Sequence, residues 1–509
     1  MSLFDGTTRA GVLLKRRARP IVVEPQGIAF EVPVADARPE GGSHLLAFAG
    51  LFVFTLLLYA RPNDLFPDLF GDFSTVKFVA IPTILVYVIS KMVAGEPLTE
   101  WPIEVKMVGI ILLLCVAFIP IAAAPGDSID RLSDPFLKVV AMFVLMANLI
   151  NTKFRLRLLM TMMVIAATCI AIGAIVDFVE RQFAVKVDGV GTRIAGNVGG
   201  IFGNPNDLAT SLDLLIPIAV GLALTSGFVM RLVFLACAGV LAVGVVTTFS
   251  RGGFLGLVAV GSFLLWKISR KNRLIAAGAA AAALFVLLAA APGGYGDRLF
   301  TILHTAGDKT GSAQERQEIL KRAIVVAARH PIIGVGMNNF HIYSYKERVA
   351  HNSYLEISAE LGLGGLIAYL ILIFSPMRSL KRIEAQTSLS PEQSDGRELH
   401  LLSVAVQGAM IAYIVCSAFT SIEYLWYLYY PVAFAVALQK LCPVTLPAGK
   451  VRGGGLKLWA QRIIKGRLWD RYRRRRFGAA PVSRRGRLIR QRSEVRGQRP
   501  EVRLLTSDF

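Results

Sequence analysis

The chain has 509 residues and a net charge of +21, with 54% hydrophobic residues, only 18% charged residues and a mean hydropathy of +0.55. Soluble chains of this size are closer to half apolar and a quarter charged, so the composition argues against an ordinary water-soluble protein. The five cysteines (Cys115, Cys169, Cys237, Cys416, Cys442) lie in or beside apolar blocks, without CxxC pairs or His/Cys ligand spacing, which argues against a disulfide framework or a metal site.

The positive charge is local. Residues 450–509 hold 19 Lys/Arg against 4 Asp/Glu, a tail of +15 that leaves +6 for everything before it.

Residues 1–43 are polar and carry Lys15-Arg16-Arg17-Ala18-Arg19, which reads as a disordered cytoplasmic arm. The first apolar block begins only near Leu45, too late for a cleaved signal peptide. Twelve apolar blocks follow, at 45–60, 76–94, 105–124, 136–150, 156–176, 207–225, 229–249, 252–267, 274–292, 354–375, 401–420 and 424–442. Their lengths of about 20 residues suit a hydrocarbon core roughly 30 Å thick. The expected fold is all-α: a polytopic membrane protein of about 12 transmembrane helices, with a core at 44–443 and a basic cytoplasmic tail at 444–509.

Short-loop basic residues set the orientation. Lys153/Arg155/Arg157, Lys267/Arg270/Lys271/Arg273 and Arg378/Lys381/Arg382 fall on one side if the N-terminus is cytoplasmic, and both termini are then inside. The outer side receives the loops 177–206 and 293–350 and the tight Ser250-Arg251-Gly252-Gly253 connection, whose glycines allow a close turn. No internal repeat is evident.

Within the long outer loop, Ser312-Ala-Gln-Glu315 is a capping-box start and Pro331 a stop. At 100° per residue Ile319, Leu320, Ala323, Val326 and Ala327 form one face, with Arg316 in its middle. That arginine is aimed at the body of the protein from a helix turn that already favours anions. Arg193 precedes Gly203-Asn204-Pro205-Asn206-Asp207, a turn-rich entry to a span. His351, with Arg348 beside it and Asn352, Glu356 and Glu360 after it, opens another span, where an ionisable group is costly and reads as functional. Guanidinium groups bind phosphate oxygens bidentately, and histidine accepts a proton near neutral pH. The set suits an anionic, lipid-linked ligand at the outer boundary.

His351-Asn352, nine residues, then Gly362-Leu-Gly-Gly365 resembles the His-[Asn/Ser/Gln]-x9-Gly-x-x-Gly signature of the bacterial O-antigen ligase and polymerase superfamily. Ser250-Arg251-Gly252 resembles that family's Ser-Arg-Gly. Arg316 to Pro331 with Gly334-Val-Gly336 and Phe340 resembles the approach to its histidine, and Arg193 to Asn206 its Arg-x-x-Gly…Asn-Pro-Asn element with a longer spacer. The resemblance implies inverting, cofactor-free glycosyl transfer from a polyprenyl (undecaprenyl) diphosphate-linked glycan to a sugar hydroxyl at the periplasmic face of a bacterial inner membrane. His351, Arg251 and Arg316 would be catalytic, with Arg193, Asn206, Asn352 and Glu360 binding substrate. The outer loops hold no Asp-x-Asp motif, which fits a metal-free reaction.

The acceptor distinguishes a ligase (lipid A–core) from a polymerase (a second lipid-linked glycan) or a protein O-oligosaccharyltransferase. A transporter would show repeated halves and mid-membrane charges. The tail, with Arg473-Arg-Arg-Arg476 after Trp459 and Trp469, suits anionic lipid rather than nucleic acid.

Overall fold

A computed structural model describes residues 44–65, 75–180, 184–187, 191–194, 202–268, 312–388 and 394–442, with a few isolated positions between them. Its helices in chain order are α1 (Leu45–Ala60), α2 (Thr75–Val93), α3 (Ile103–Phe118), α4 (Pro125–Leu149), α5 (Lys153–Glu180), α6 (Pro205–Leu224), α7 (Phe228–Thr247), α8 (Arg251–Ile268), α9 (Ser312–Arg329), α10 (Ser353–Thr387), α11 (Ser394–Cys416) and α12 (Trp426–Leu441).

Nine helices among the described residues, α1 to α7 with α10 and α11, are long and apolar enough to cross a membrane. The expected count of twelve is therefore not reached. Helices α8 and α12, with 18 and 16 residues, coincide with two further expected spans, whereas α1 and α3 count as spans through their continuations to Asp64 and Ile121. The expected span 274–292, the arm 1–43 and the tail from 444 lie outside the described residues.

Burial sorts these helices into centre and periphery. In α6 83% of the apolar window is buried, in α11 72% and in α10 61%, against 17% in α2. Helix α2 turns Phe78, Ile81, Leu85 and Ile89 outward. An apolar surface that extensive on a helix with few buried positions suits contact with lipid, where only internally hydrogen-bonded backbone is tolerated. Helix α6 packs against α7 and α11, while α10 packs against α3, α11 and α12, so the helices beginning at Pro205 and Ser353 form the middle of the bundle.

One element was not foreseen. Within the expected loop 177–206, Ala184–Val187 (β1) and Gly191–Ile194 (β2) pair antiparallel, with Val185 opposite Arg193. The intervening Asp188-Gly189 is the kind of dipeptide that marks a hairpin.

Candidate active site at the His351 end

The amphipathic helix α9 begins and ends where its cap and proline signals put it. Ile319, Ala323 and Val326 are buried in a small cluster with Val335, Phe340, Ala350 and Ala359. Leu320, expected on the same face, is exposed instead. This cluster seats α9 over the start of α10, and Arg316 on that side is only half-buried.

Helix α9 leads into a loop docked backbone to backbone on α10. Gly362 interrupts α10 with φ +66 and ψ −167, and a Cβ there would stand 2.5 Å from the Ile332 carbonyl oxygen. At the break the Leu363 N–H donates to the Pro331 carbonyl at 2.8 Å, and the Val335 and Gly336 N–H groups donate to the Ala359 and Glu360 carbonyls at 3.0 Å each. Gly334, at φ +71, lies directly against the Glu360 carbonyl. The first glycine of the signature thus serves loop docking. Gly364 has little nearby except a Leu114 methyl at 3.8 Å.

Two carboxylates complete this scaffold. Glu360 accepts from the Phe340 N–H at 3.3 Å and the Tyr424 hydroxyl at 3.0 Å. Glu356 accepts from the Ala350 N–H at 3.2 Å and from the Ser421 hydroxyl. Buried acceptors need such partners, and one of them here, the Ala350 N–H, adjoins His351. On the far side of the loop, Asn339 accepts from the Ala124 N–H at 2.6 Å and donates to the Ser128 hydroxyl oxygen at 2.9 Å, fixing the loop to the start of α4.

His351 itself is half-buried and sits in the left-handed region at φ 50, an uncommon backbone state for a non-glycine residue. Asn352 next to it is the N-cap of α10, accepting from the Tyr354 and Leu355 N–H groups at 3.1 and 3.0 Å and donating to the Ala418 carbonyl at 3.2 Å. Its amide therefore holds the helix start in place. Burial, then the positive charges of Arg316 and Arg348, lower the His351 imidazole to about 4, with Glu315 opposing. At neutral pH the ring is uncharged and able to accept a proton.

Arg251 is the first residue of α8. The sharp approach to it falls on Phe249 at φ 53, not on the two glycines after it. Those glycines lie in the first helical turn, where Cβ atoms would meet Phe419 and Ala209. Ser250 caps the turn by accepting from the Gly253 N–H at 3.1 Å, and its hydroxyl donates to the Asn206 side-chain oxygen at 2.9 Å. Asn204 caps α6 two residues earlier. The Asn-Pro-Asn and Ser-Arg-Gly elements, 44 residues apart in sequence, are thereby joined.

The connection between α11 and α12, residues 417–425, brings the two halves together. Its Ala418 receives the Asn352 amide and its Phe419 covers Gly252. Its Ser417 carbonyl accepts from the Ser353 N–H at 2.9 Å, and its Ile422 N–H donates to the Ser353 hydroxyl at 2.9 Å. Burial pushes Glu423 in this loop up to about 7. Sequence reading missed this segment because its contacts run largely through backbone groups. Arg193 lies in β2, away from these contacts in the chain, and only its backbone pairing is described.

Residues 236–370 match the family model described as O-Antigen ligase. The matched stretch holds Arg251, Arg316, His351, Asn352 and Glu360 but not Arg193 or Asn206. Among curated proteins, none matches the chain. Residues 236–370 are thus similar to the O-antigen ligase family, the same family that the motifs of this stretch resemble.

Proposed function

We propose that the protein transfers a glycan from a polyprenyl diphosphate carrier to a sugar hydroxyl, with His351 as general base and Arg251 and Arg316 stabilising the departing diphosphate. The observation that carries this reading is the convergence on residues 417–425: the neighbours of His351 and Arg251 touch Ala418 and Phe419, adjacent residues of one loop. In the step, the acceptor oxygen attacks the anomeric carbon and its proton passes to His351. The bond from that carbon to the phosphate oxygen breaks, its electron pair leaves with the prenyl diphosphate, and the anomeric configuration inverts.

The residues have separate tasks in this reaction. A diphosphate leaving group needs little protonation, so fixed cations aimed at its developing charge do most of the work. Arg348, exposed and sharing Glu315 with Lys346, is in a weak surface pair that a phosphate could displace. Asn352, Glu356 and Glu360 position the histidine and its loop, while Asn206 positions Ser250 and so the helix that starts with Arg251. Arg193 joins the site as a further phosphate contact from the hairpin.

The test is transfer by the purified protein, given a lipid diphosphate-linked glycan and no ion gradient. Wild type should form product, and His351→Ala should lose a factor of about 10²–10⁴ in turnover, the usual weight of a general base. Full transfer by His351→Ala and Arg251→Ala would reject the mechanism, and solute movement without glycosidic product would favour a transporter. Lipid A–core as acceptor makes the protein a ligase; a second lipid-linked glycan makes it a polymerase. The reading puts this site at the periplasmic face of a bacterial inner membrane and the basic tail on anionic lipid. Removal of 450–509 would test the tail by its effect on insertion.

A further inference from the structure

A cavity of about 700 Å³ opens beside the site, at the same end of the bundle. Its walls bring Arg61 and Lys77 from the α1–α2 side together with Arg131 and Lys138 of α4. They also include Asp207 at the start of α6 and Ser421 in the 417–425 loop. The volume is in the range of small-ligand sites.

Two of these walls back directly onto the proposed catalytic residues. Asp207 adjoins Asn206, whose side chain holds the Ser250 hydroxyl beside Arg251. Ser421 donates to Glu356, which in turn holds the Ala350 N–H beside His351. The cavity is therefore linked to the reacting centre along two independent paths, Asp207–Asn206–Ser250–Arg251 and Ser421–Glu356–Ala350–His351.

The charges in it are unequally matched. Asp134 is shared by two lysines, with Lys138 at 2.5 Å and Lys77 at 3.2 Å, while Arg61 is paired with Asp64 at 2.8 Å. Arg131 makes no ion pair among the described residues, and its charge acts on Asp207 in the cavity wall and on Glu423. This cation group is distinct from the one around His351, where Arg316 and Arg348 are the acting charges. Transfer between two anionic lipid-linked substrates needs two places for negative charge, and the structure has two cation groups flanking one loop.

Resting on the glycosyl-transfer reading above, we propose that this cavity binds the acceptor, through phosphate groups on its saccharide held by Arg131, Lys138 and Lys77. The donor diphosphate then occupies the separate cations near His351. Arginine would take phosphate as a fork and the lysines as point charges, which allows the saccharide its orientation toward the His351 side.

Direct binding tests this apart from catalysis. The full-length protein in detergent is titrated with two probes, the phosphorylated glycolipid lipid A and farnesyl diphosphate, and compared with Arg131→Gln, Lys138→Gln and the charge-conserving Arg131→Lys. Each Gln variant should bind lipid A about tenfold more weakly, roughly the loss of one charge-assisted hydrogen bond, and bind farnesyl diphosphate as wild type does. Arg131→Lys should retain most of the lipid A affinity, and its thermal midpoint checks the fold. Weakened farnesyl diphosphate binding with lipid A unchanged would make the cavity the donor's and overturn the proposal, as would wild-type affinity of the Gln variants for both probes. Because no turnover is read, a failure of the glycosyl-transfer reading would appear only in the transfer assay.

Discussion

The two ends of the helix bundle treat charge differently. At the end opposite His351, three cations meet carboxylates of other helices: Lys267 with Glu384 at 2.6 Å, Arg157 with Glu398 at 2.7 Å, and Lys153 with Asp395 at 2.7 Å. At the His351 end carboxylates are shared or turned to other work. Asp134 serves Lys77 and Lys138, Glu315 serves Lys346 and Arg348, and Glu356 and Glu360 accept backbone N–H groups. One end closes its charge into clamps between helices. The other leaves arginines acting on titratable groups of the site, Arg316 and Arg348 on His351 and Arg131 on Asp207, which suits a surface that receives anions.

The comparison breaks most visibly if charge removal at the two ends has the same effect on turnover. His351→Ala should have the largest effect, about 10²–10⁴ in kcat. Arg251→Ala or Arg316→Ala should cost about 10²–10³, the range for one donor to a developing oxyanion. Arg157→Gln at the opposite end should leave kcat within a few-fold of wild type. Steady-state kinetics on the purified variants measures all four, and an equal loss in Arg157→Gln would remove the functional distinction between the ends.

At the clamped end the readout should be stability. Lys267 and Glu384 are 10% and 9% exposed, and Gln407 also donates to Glu384 at 3.1 Å. Removing one partner of a buried pair leaves the other uncompensated and costs about 3–5 kcal/mol. Lys267→Met should therefore lower the thermal midpoint strongly while leaving KM for donor unchanged. A wild-type midpoint would mean the pair is solvated and not a clamp.

Gly362→Ala tests the scaffold between these extremes. Positive φ in a non-glycine residue costs on the order of 1–3 kcal/mol, and the new Cβ would press on the Ile332 carbonyl. Loop 331–340 should lose protection in hydrogen exchange, and transfer should fall because that loop supports His351. Gly364→Ala, with open space around it, should behave as wild type. Equal behaviour of the two variants would mean the break in α10 is unnecessary.

Much of this was legible in the chain. Apolar block length located the spans, and the cap and proline of α9 gave its ends, because both signals are local. His351 and Arg251 stood out as ionisable residues at span boundaries. The 417–425 loop did not, since its function is to offer carbonyls and N–H groups at Ser417, Ala418 and Ile422, and backbone groups leave no side-chain signature. Glu356 and Glu360 were visible as carboxylates, but their partners, Ala350 and Phe340, depend on how the chain folds back. The cavity was hidden for the same reason: Arg61, Lys77, Arg131 and Lys138 come from separate segments, and single charges look like ordinary loop ends.

The smallest expected effect is a shift in a pH limb, and it tests whether the charges of Arg316 and Arg348 are used. His351 acts as base only when unprotonated, so activity falls as pH drops through its pKa. In the free enzyme that pKa is about 4, held down first by burial and then by Arg316 and Arg348. The acid limb of kcat/KM reports this free form, whereas that of kcat reports the bound complex. A diphosphate on the two arginines offsets their charge, so the kcat limb should lie at higher pH than the kcat/KM limb. Arg316→Gln should move the kcat/KM limb upward only part of the way toward 6.5, because burial is the larger cause and remains. Stability should follow the same sign: from about 6.5 down to about 4 the unfolded chain takes up a proton that folded His351 does not, so the fold weakens as pH falls. Coincident limbs in wild type would show that the donor's charge does not reach Arg316 and Arg348, and these two arginines would then need another ligand.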